Sequence, residues 1–252
     1  MTIDTTVANR SVLITGANRG LGWALVEEVL RRGSGRVYAG TRRPYSHPDH
    51  RVRPLVLDIT DPAQIRAAVE EVDSLDLLIN NAGVSLPDDL AGRDSLEEHL
   101  AVNLYGTWEV TQAFLPALRR SQGTIVNVVS LAAFAAVPVL PAYSISKAAL
   151  FALTQSHRAL LAADGVTVHA VMAGPIDTDM VRGLEVPKTA AEVVARGVLD
   201  GVERGEDEIF PDPMSATLAA GWFAGNAKAL ERQNAALVQP EPVAATLTPL
   251  SA

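Results

Sequence analysis

The sequence predicts a single doubly wound α/β domain, a parallel sheet of about seven strands with helices on both faces. Three observations carry this. Short apolar runs alternate with longer segments of helical period along the whole chain. The runs are almost continuously Val, Ile and Leu, the pattern of strands covered on both faces. The first run leads through a glycine-rich turn straight into the first helical segment. With 252 residues, 48% of them hydrophobic, the chain can bury one large core.

The elements follow in order. Val12-Leu13-Ile14 reads as a strand and Leu21 to Arg32 as a helix; Val37-Tyr38-Ala39 and Leu55-Val56-Leu57 read as further strands. Residues 62–72 are helical, with Asp61 as N-cap and Pro62 in the first helical position. Leu75 to Ile79 is a strand, and Ser95 to Leu118 one long helix. Thr124 to Val129 is a strand, Ala142 to Ala163 a helix, Val166 to Met172 a strand and Ala190 to Glu203 a helix. A short strand over Glu208 to Phe210 precedes a last helix from about Met214 to Ala236. The domain is expected over residues 10–238, after a flexible N-terminus (1–9) and before a three-proline tail (239–252) that reads as extended or disordered.

Composition narrows the function. The formal net charge of −8 and a pI of about 5.1 argue against nucleic acid or an anionic membrane as a partner. The absence of cysteine removes disulfides, thiolate nucleophiles and cysteine zinc sites, and fits the cytoplasm. The polar start carries no signal-peptide pattern. The apolar stretch 123–139 is interrupted by Asn127, Ser130 and Pro138, so it reads as strand plus loop and not a membrane span. His47-Pro48-Asp49-His50 lacks a third ligand and reads as a solvated loop, so no metal is expected; His99, His157 and His169 read as structural or exposed.

The turn itself is Thr15-Gly16-Ala17-Asn18-Arg19-Gly20-Leu21-Gly22. Gly16 permits a tight turn, Gly20 lets backbone approach a ligand and Gly22 lets the helix pack closely. The helix then aims free N–H groups and a positive dipole end at an anion, which suits a pyrophosphate in a Rossmann-like fold. A purely structural turn is the competing reading. At the end of the next strand an acidic residue would hold an adenosine 2′-hydroxyl. Here stand Thr41-Arg42-Arg43, and with Arg19 these guanidiniums suit a 2′-phosphate. The reading is NADP(H) preferred over NAD(H), with NAD(H) possible; a solvated surface role is the alternative, most of all for Arg43.

Tyr143 and Lys147 are spaced i, i+4 near a helix start and share a face. A free phenol is a poor base at neutral pH, but an ammonium at ~5 Å in an effective dielectric of ~20 favours the phenolate by about 3 kcal/mol. Alone the pair would read as a surface pair. Ser130 ends the preceding strand and Asn80-Asn81-Ala82-Gly83 closes another, both at the carboxyl edge where parallel sheets bind ligands. Asn103 lies within the intervening helix, where asparagine has no propensity advantage. Ser144-Ile145-Ser146-Lys147 also fits a Ser-x-x-Lys nucleophile pattern, but its Lys-Thr-Gly companion is missing.

Together Thr15-Gly16-x-x-x-Gly20-x-Gly22, Asp58, Asn80-Asn81-Ala82-Gly83, Asn103, Ser130, Tyr143-x-x-x-Lys147 and Gly174-x-x-x-Thr178 resemble the classical short-chain dehydrogenase/reductase family over about residues 10 to 215. The resemblance implies an oxidoreductase that moves a hydride between nicotinamide and a carbonyl or alcohol carbon. It implies Tyr143 as acid/base, Lys147 lowering the phenol's pKa and holding the nicotinamide ribose, Ser130 orienting the carbonyl, and Asn103 holding a relay water. It implies cofactor contacts by Gly16, Asn18, Arg19, Gly20, Leu21, Gly22 and Arg42, by Asp58 and Ile59 at the adenine, by Asn81, Ala82 and Gly83 at the ribose, and by Gly174, Ile176 and Thr178 at the carboxamide. One departure is Ala173-Gly174-Pro175, where the family has Pro-Gly.

Apolar residues flanking the site (Leu131, Ala132, Phe134, Pro138, Val139, Leu140, then Met180, Val181, Leu184 and Val186) point to an uncharged, hydrophobic ketone, aldehyde or secondary alcohol. Helices 95–118 and 142–163 look apolar on more than one face, and their family counterparts pair between subunits, implying a homodimer or homotetramer. A non-catalytic NADP(H)-binding regulator or scaffold, and an epimerase or dehydratase, remain the rival readings.

Overall fold

The computed structural model describes residues 6–183 and 185–238. The tail expected over 239–252 lies outside the described residues, as do most of the expected N-terminal arm and Leu184. Strands β1 (Ser11–Thr15), β2 (Arg36–Thr41), β3 (Val52–Val56), β4 (Leu77–Asn80), β5 (Thr124–Val128) and β6 (Thr167–Val171) form one sheet with a later strand, β9 (Glu208–Ile209). The intervening β7 (Ile176–Asp177) and β8 (Thr189–Ala190) pair only with each other. The sheet order is β3-β2-β1-β4-β5-β6-β9, and every neighbouring pair is parallel. The winding reverses between β1 and β4, so a crevice opens there at the carboxyl ends of the strands.

Alternation along the strands builds two cores. Val12 and Ile14 of β1 join Leu25 and Val29 of α1 (Gly20–Arg31) and Val194 and Val198 of α6 (Ala191–Glu203). Leu13, between them, joins the opposite face with Ile65 of α2 (Pro62–Glu71), Phe114 and Leu118 of α4 (Thr107–Ser121) and Leu161 of α5 (Pro141–Leu161). Asp61 caps α2 as expected, accepting from the amides of Ala63 and Gln64. Among the described residues no helix is long and apolar enough to cross a membrane.

Two expected helices are interrupted. The long helix over 95–118 is α3 (Arg93–Leu100), a π-helical stretch Ala101–Gly106, and then α4. Gly106 approaches the exit of β3 so closely that a Cβ there would sit 2.8 Å from Ile59 Cγ1. The widened turn accommodates that approach, and such π insertions cluster at functional sites. The expected last helix is two, α7 (Pro213–Phe223) and α8 (Asn226–Ala235), separated at Ala224-Gly225. Gly221 and Gly225 weaken the helix at this point, and the break turns Lys228 into the interior, where it is fully buried.

Candidate active site

The glycine turn is built to leave backbone open. Gly16 and Gly20 hold φ of +66° and +52°, a region that L side chains rarely adopt. Gly22 has no alternative: a Cβ would lie 2.0 Å from the Gly16 carbonyl oxygen. The turn is locked to the end of β4. Thr15 Oγ1 accepts from the amides of Asn81 and Ala82, each at 3.0 Å, and Asn81 Nδ2 donates to the Thr15 and Gly16 carbonyls at 2.9 and 3.2 Å. Arg19, the N-cap of α1, gives no side-chain cap, and the first turn holds no acidic residue. The first N–H groups of α1 therefore face outward without a capping oxygen, as a pyrophosphate cradle requires. Asn18 is exposed and Leu21 buried beside this turn. The residues present fit a dinucleotide.

Tyr143 and Lys147 lie in the first two turns of α5, with Lys147 Nζ 5.7 Å from the centroid of the tyrosine ring. Pro141 starts the helix, and the Ala142 amide donates to Asp88 Oδ2 at 3.2 Å. Lys147 is buried and donates to the Val128 carbonyl at 2.7 Å, just upstream of Ser130. Ser130 follows β5 and accepts from the Ala132 amide at 3.1 Å, starting the short turn Leu131–Ala133. Burial lowers the Lys147 pKa to about 8. The expected lowering of Tyr143 is not what the structure gives: burial raises its phenol above the ordinary value, and the opposing hydrogen bond from Ser130 does not cancel it. Desolvation acts on both groups, and the ammonium lies over the tyrosine ring.

Asn103 sits in the π-helical stretch, fully buried. Its Oδ1 accepts from the Val84 amide at 2.9 Å, and its Nδ2 donates to the Val84 carbonyl and to Ser146 Oγ, both at 2.9 Å. It thus ties the loop after β4 to α5. Gly83 lies between them: a Cβ there would be 3.0 Å from Asn103 Oδ1 and 3.7 Å from Lys147 Nζ.

At the other end of the crevice Arg42 and Arg43 are exposed, with no ion pair to another described residue, and Thr41 Oγ1 donates to the Arg43 carbonyl at 2.6 Å. Arg19 instead pairs with Asp179 at 3.4 Å, an exposed and easily exchanged contact. Asp58 is held by its own turn, accepting from Thr60, while Ile59 is buried against Gly106. In the Ala173-Gly174-Pro175 loop the Gly174 amide donates to Asp212 Oδ2 at 2.9 Å. Ile176 enters β7, and Thr178 comes back to the glycine turn, its Cγ2 3.0 Å from where a Gly20 Cβ would be.

Several side chains take roles that the sequence left open or did not show. His99 is buried, its Nε2 accepting from the Leu86 amide and its Nδ1 bonded to the Ser95 carbonyl, and its ring lies 6.4 Å from that of Tyr143. His47 is not solvated: its side chain is 3% exposed, packs on Trp23 and bonds Glu27 at 2.7 Å. Phe134 turns inward and stacks on Trp222 instead of facing an open pocket. Asn80 and Asn127 bridge β4 and β5 and reach Thr111 of α4 and Thr154 of α5. Asparagines inside two otherwise apolar strand runs were the available signal for that network.

A parallel, doubly wound sheet with an open anion cradle at its switch point defines a dinucleotide-binding α/β protein. The family model described as short chain dehydrogenase matches residues 10–188. The chain is 35% identical over 234 residues to the short-chain dehydrogenase ptmH of Penicillium ochrochloron, covering 86% of this chain and 84% of that one. It is 34% identical over 182 residues to 3-amino-tetrahydro-pyrrolizinone reductase of Xenorhabdus hominickii, covering 68% of this chain and 63% of that protein's length. A short chain dehydrogenase from Burkholderia cenocepacia, solved in complex with NADP, superposes with a TM-score of 0.83 at 36% identity, covering 93% of this chain and 100% of that one. The chain belongs to the short-chain dehydrogenase family, a class of NAD(P)-dependent oxidoreductases acting on CH–OH and C=O groups.

Proposed function

We propose that the protein is an NADP(H)-dependent carbonyl reductase and alcohol dehydrogenase for uncharged, hydrophobic ketones, aldehydes or secondary alcohols. The observation that carries this is the convergence of Tyr143, Lys147 and Ser130 at the carboxyl edge of β5, beside a glycine turn whose backbone is open to a dinucleotide. The bound nicotinamide supplies or accepts the hydride; the protein supplies position and charge. Ser130 Oγ donates to the substrate oxygen and orients it. Tyr143 gives its phenolic proton to that oxygen in reduction and takes it back in oxidation. Lys147, anchored on the Val128 carbonyl, places a cation beside the forming phenolate. Asn103 holds Val84 and α5 in register, keeping Gly83 close to Lys147.

The NADP(H) preference draws on Arg42 and Arg43, exposed and without an ion pair among the described residues, at the end of β2 where a 2′-phosphate would lie. The NADP held by the Burkholderia relative supports it. Exposed Val137, Val139, Met180 and Val186, on loops leaving the carboxyl edge, support an apolar substrate. Exposed Tyr105, Trp108 and Ile145, around the π-helical stretch and on α5, suit pairing between copies as a homodimer or homotetramer. We assign the protein to the cytoplasm. The test is loss of the reduced cofactor's absorbance with a panel of hydrophobic ketones. Tyr143→Phe is expected to lower the rate by about 10²–10⁴-fold with NADPH binding kept; an unchanged rate would overturn the proposal.

A further inference from the structure

Segment 207–235 carries a buried charge cluster and an aromatic stack that the proposed chemistry does not use. Glu208 of β9 has a fully buried side chain. It pairs with Lys228 of α8 and Arg158 of α5, each at 2.8 Å, and accepts from the indole Nε1–H of Trp222 at 2.8 Å. Lys228 is itself fully buried and also meets Asp207 at 3.0 Å and Glu231 at 2.8 Å. Buried charges of this kind hold their geometry firmly, because losing one partner strands another away from water. Trp222 is therefore held at its polar edge by a carboxylate that cannot easily move.

Its ring face is used differently. Trp222 stacks on Phe134, with centroids 4.6 Å apart and planes at 25°, and Phe151 of α5 meets both rings edge-on at 5.4 and 5.5 Å. Phe134 closes the turn that Ser130 begins: the Ala133 amide donates to the Ser130 carbonyl and the Phe134 amide to that of Leu131. The Ser130 carbonyl is thus tied into a turn that ends at Phe134, whose ring packs on Trp222 of α7.

We propose that Trp222 is a positioning residue for Ser130, transmitting the rigidity of the Glu208 cluster through the Phe134 ring to the turn Leu131–Ala133. The proposal rests on Ser130 acting on the substrate oxygen. Segment 207–235 braces two further parts of the site: Arg158 lies on the helix that carries Tyr143 and Lys147, and Asp212 takes the Gly174 amide. The C-terminal helices are in this reading part of the catalytic frame.

The test compares Trp222→Ala, Trp222→Phe and wild type by hydrogen exchange and by steady-state kinetics with NADPH and a hydrophobic ketone. Trp222→Ala is expected to speed amide exchange at residues 131–135 by about tenfold or more. It is expected to lower kcat by about 10–100-fold, the cost of a displaced catalytic group, with NADPH affinity within about twofold. Trp222→Phe keeps a ring on Phe134 but loses the bond to Glu208, so it is expected to recover part of both losses and to stay measurably below wild type in each. The proposal is overturned if exchange at 131–135 in Trp222→Ala matches wild type. Exchange that rises equally across β9 and α8, with no rescue by Phe, also overturns it. If Trp222→Ala does not fold, Phe134→Leu removes the same stack from the other side and is read by the same criteria. The exchange arm needs no substrate, so a wild type that reduces no ketone refutes the proposed function, while local exchange still decides the brace.

Discussion

Lys147→Met separates what the buried ammonium costs from what it does. Lys147 is 5% exposed, and burial lowers its pKa from the ordinary 10.5 to about 8. At neutral pH the amine is protonated in both folded and unfolded chains, and keeping that proton in the folded state costs about 3 kcal/mol. Methionine has similar length and no charge. It forfeits the bond to the Val128 carbonyl, worth about 1.5–3 kcal/mol with a charged donor. The variant is therefore expected to be more stable at neutral pH by up to about 1.5 kcal/mol, or a Tm higher by up to about 6 °C. Its carbonyl reduction should fall by about 10²–10⁴-fold. The sign with pH follows from the lowered value. Between about 8 and 10.5 the unfolded chain holds the proton more tightly than the folded one, so wild-type stability rises with pH across that window. The advantage of Lys147→Met should shrink and then reverse. Thermal unfolding of both proteins across neutral and alkaline pH reads this directly; a variant less stable at neutral pH, or a difference that does not change with pH, would refute the argument.

Three more expectations are checked with ordinary assays. Arg42→Ala should weaken NADPH by about 10–100-fold and leave NADH nearly unchanged in fluorescence titration, since one charged contact to a phosphate is worth about 1.5–3 kcal/mol; equal losses for both cofactors would remove Arg42 from 2′-phosphate recognition. Gly22→Ala places a methyl 2.0 Å from the Gly16 carbonyl and should destabilise by at least about 2 kcal/mol while abolishing the Tm rise on NADPH addition. In the reduction direction kcat/KM should stay level through neutral pH and decline as pH passes about 8, because Lys147 loses its proton while the Tyr143 phenol, raised by burial, keeps its own; a rate climbing through that range contradicts the assignment of the proton donor.

Local chemistry made much of this molecule readable before any coordinates. Strands covered on both faces must be apolar throughout, so the runs around Leu13, Leu78, Ile125 and Ala170 declared themselves. A parallel order places all their carboxyl ends on one edge, which gathered Gly16, Asn81, Ser130 and Tyr143 without any contact being known. The Asp61 cap, the i, i+4 spacing of Tyr143 and Lys147 and the need for glycine at position 22 are likewise properties of short segments.

What only the tertiary structure decided depends on contacts between residues far apart in the chain. The π-helical stretch that carries Asn103 brings Gly106 against Ile59, and no helical period encodes a neighbour 47 positions away. The direction of the Tyr143 shift was misjudged from spacing alone, since desolvation depends on everything packed around the phenol, not on one lysine. The Glu208 cluster draws its cations from α5 and α8, and in the sequence those charges look like ordinary solvated ones. Sequence determines which groups are available and how they repeat; packing determines which of them lose water, and the loss of water sets their energies.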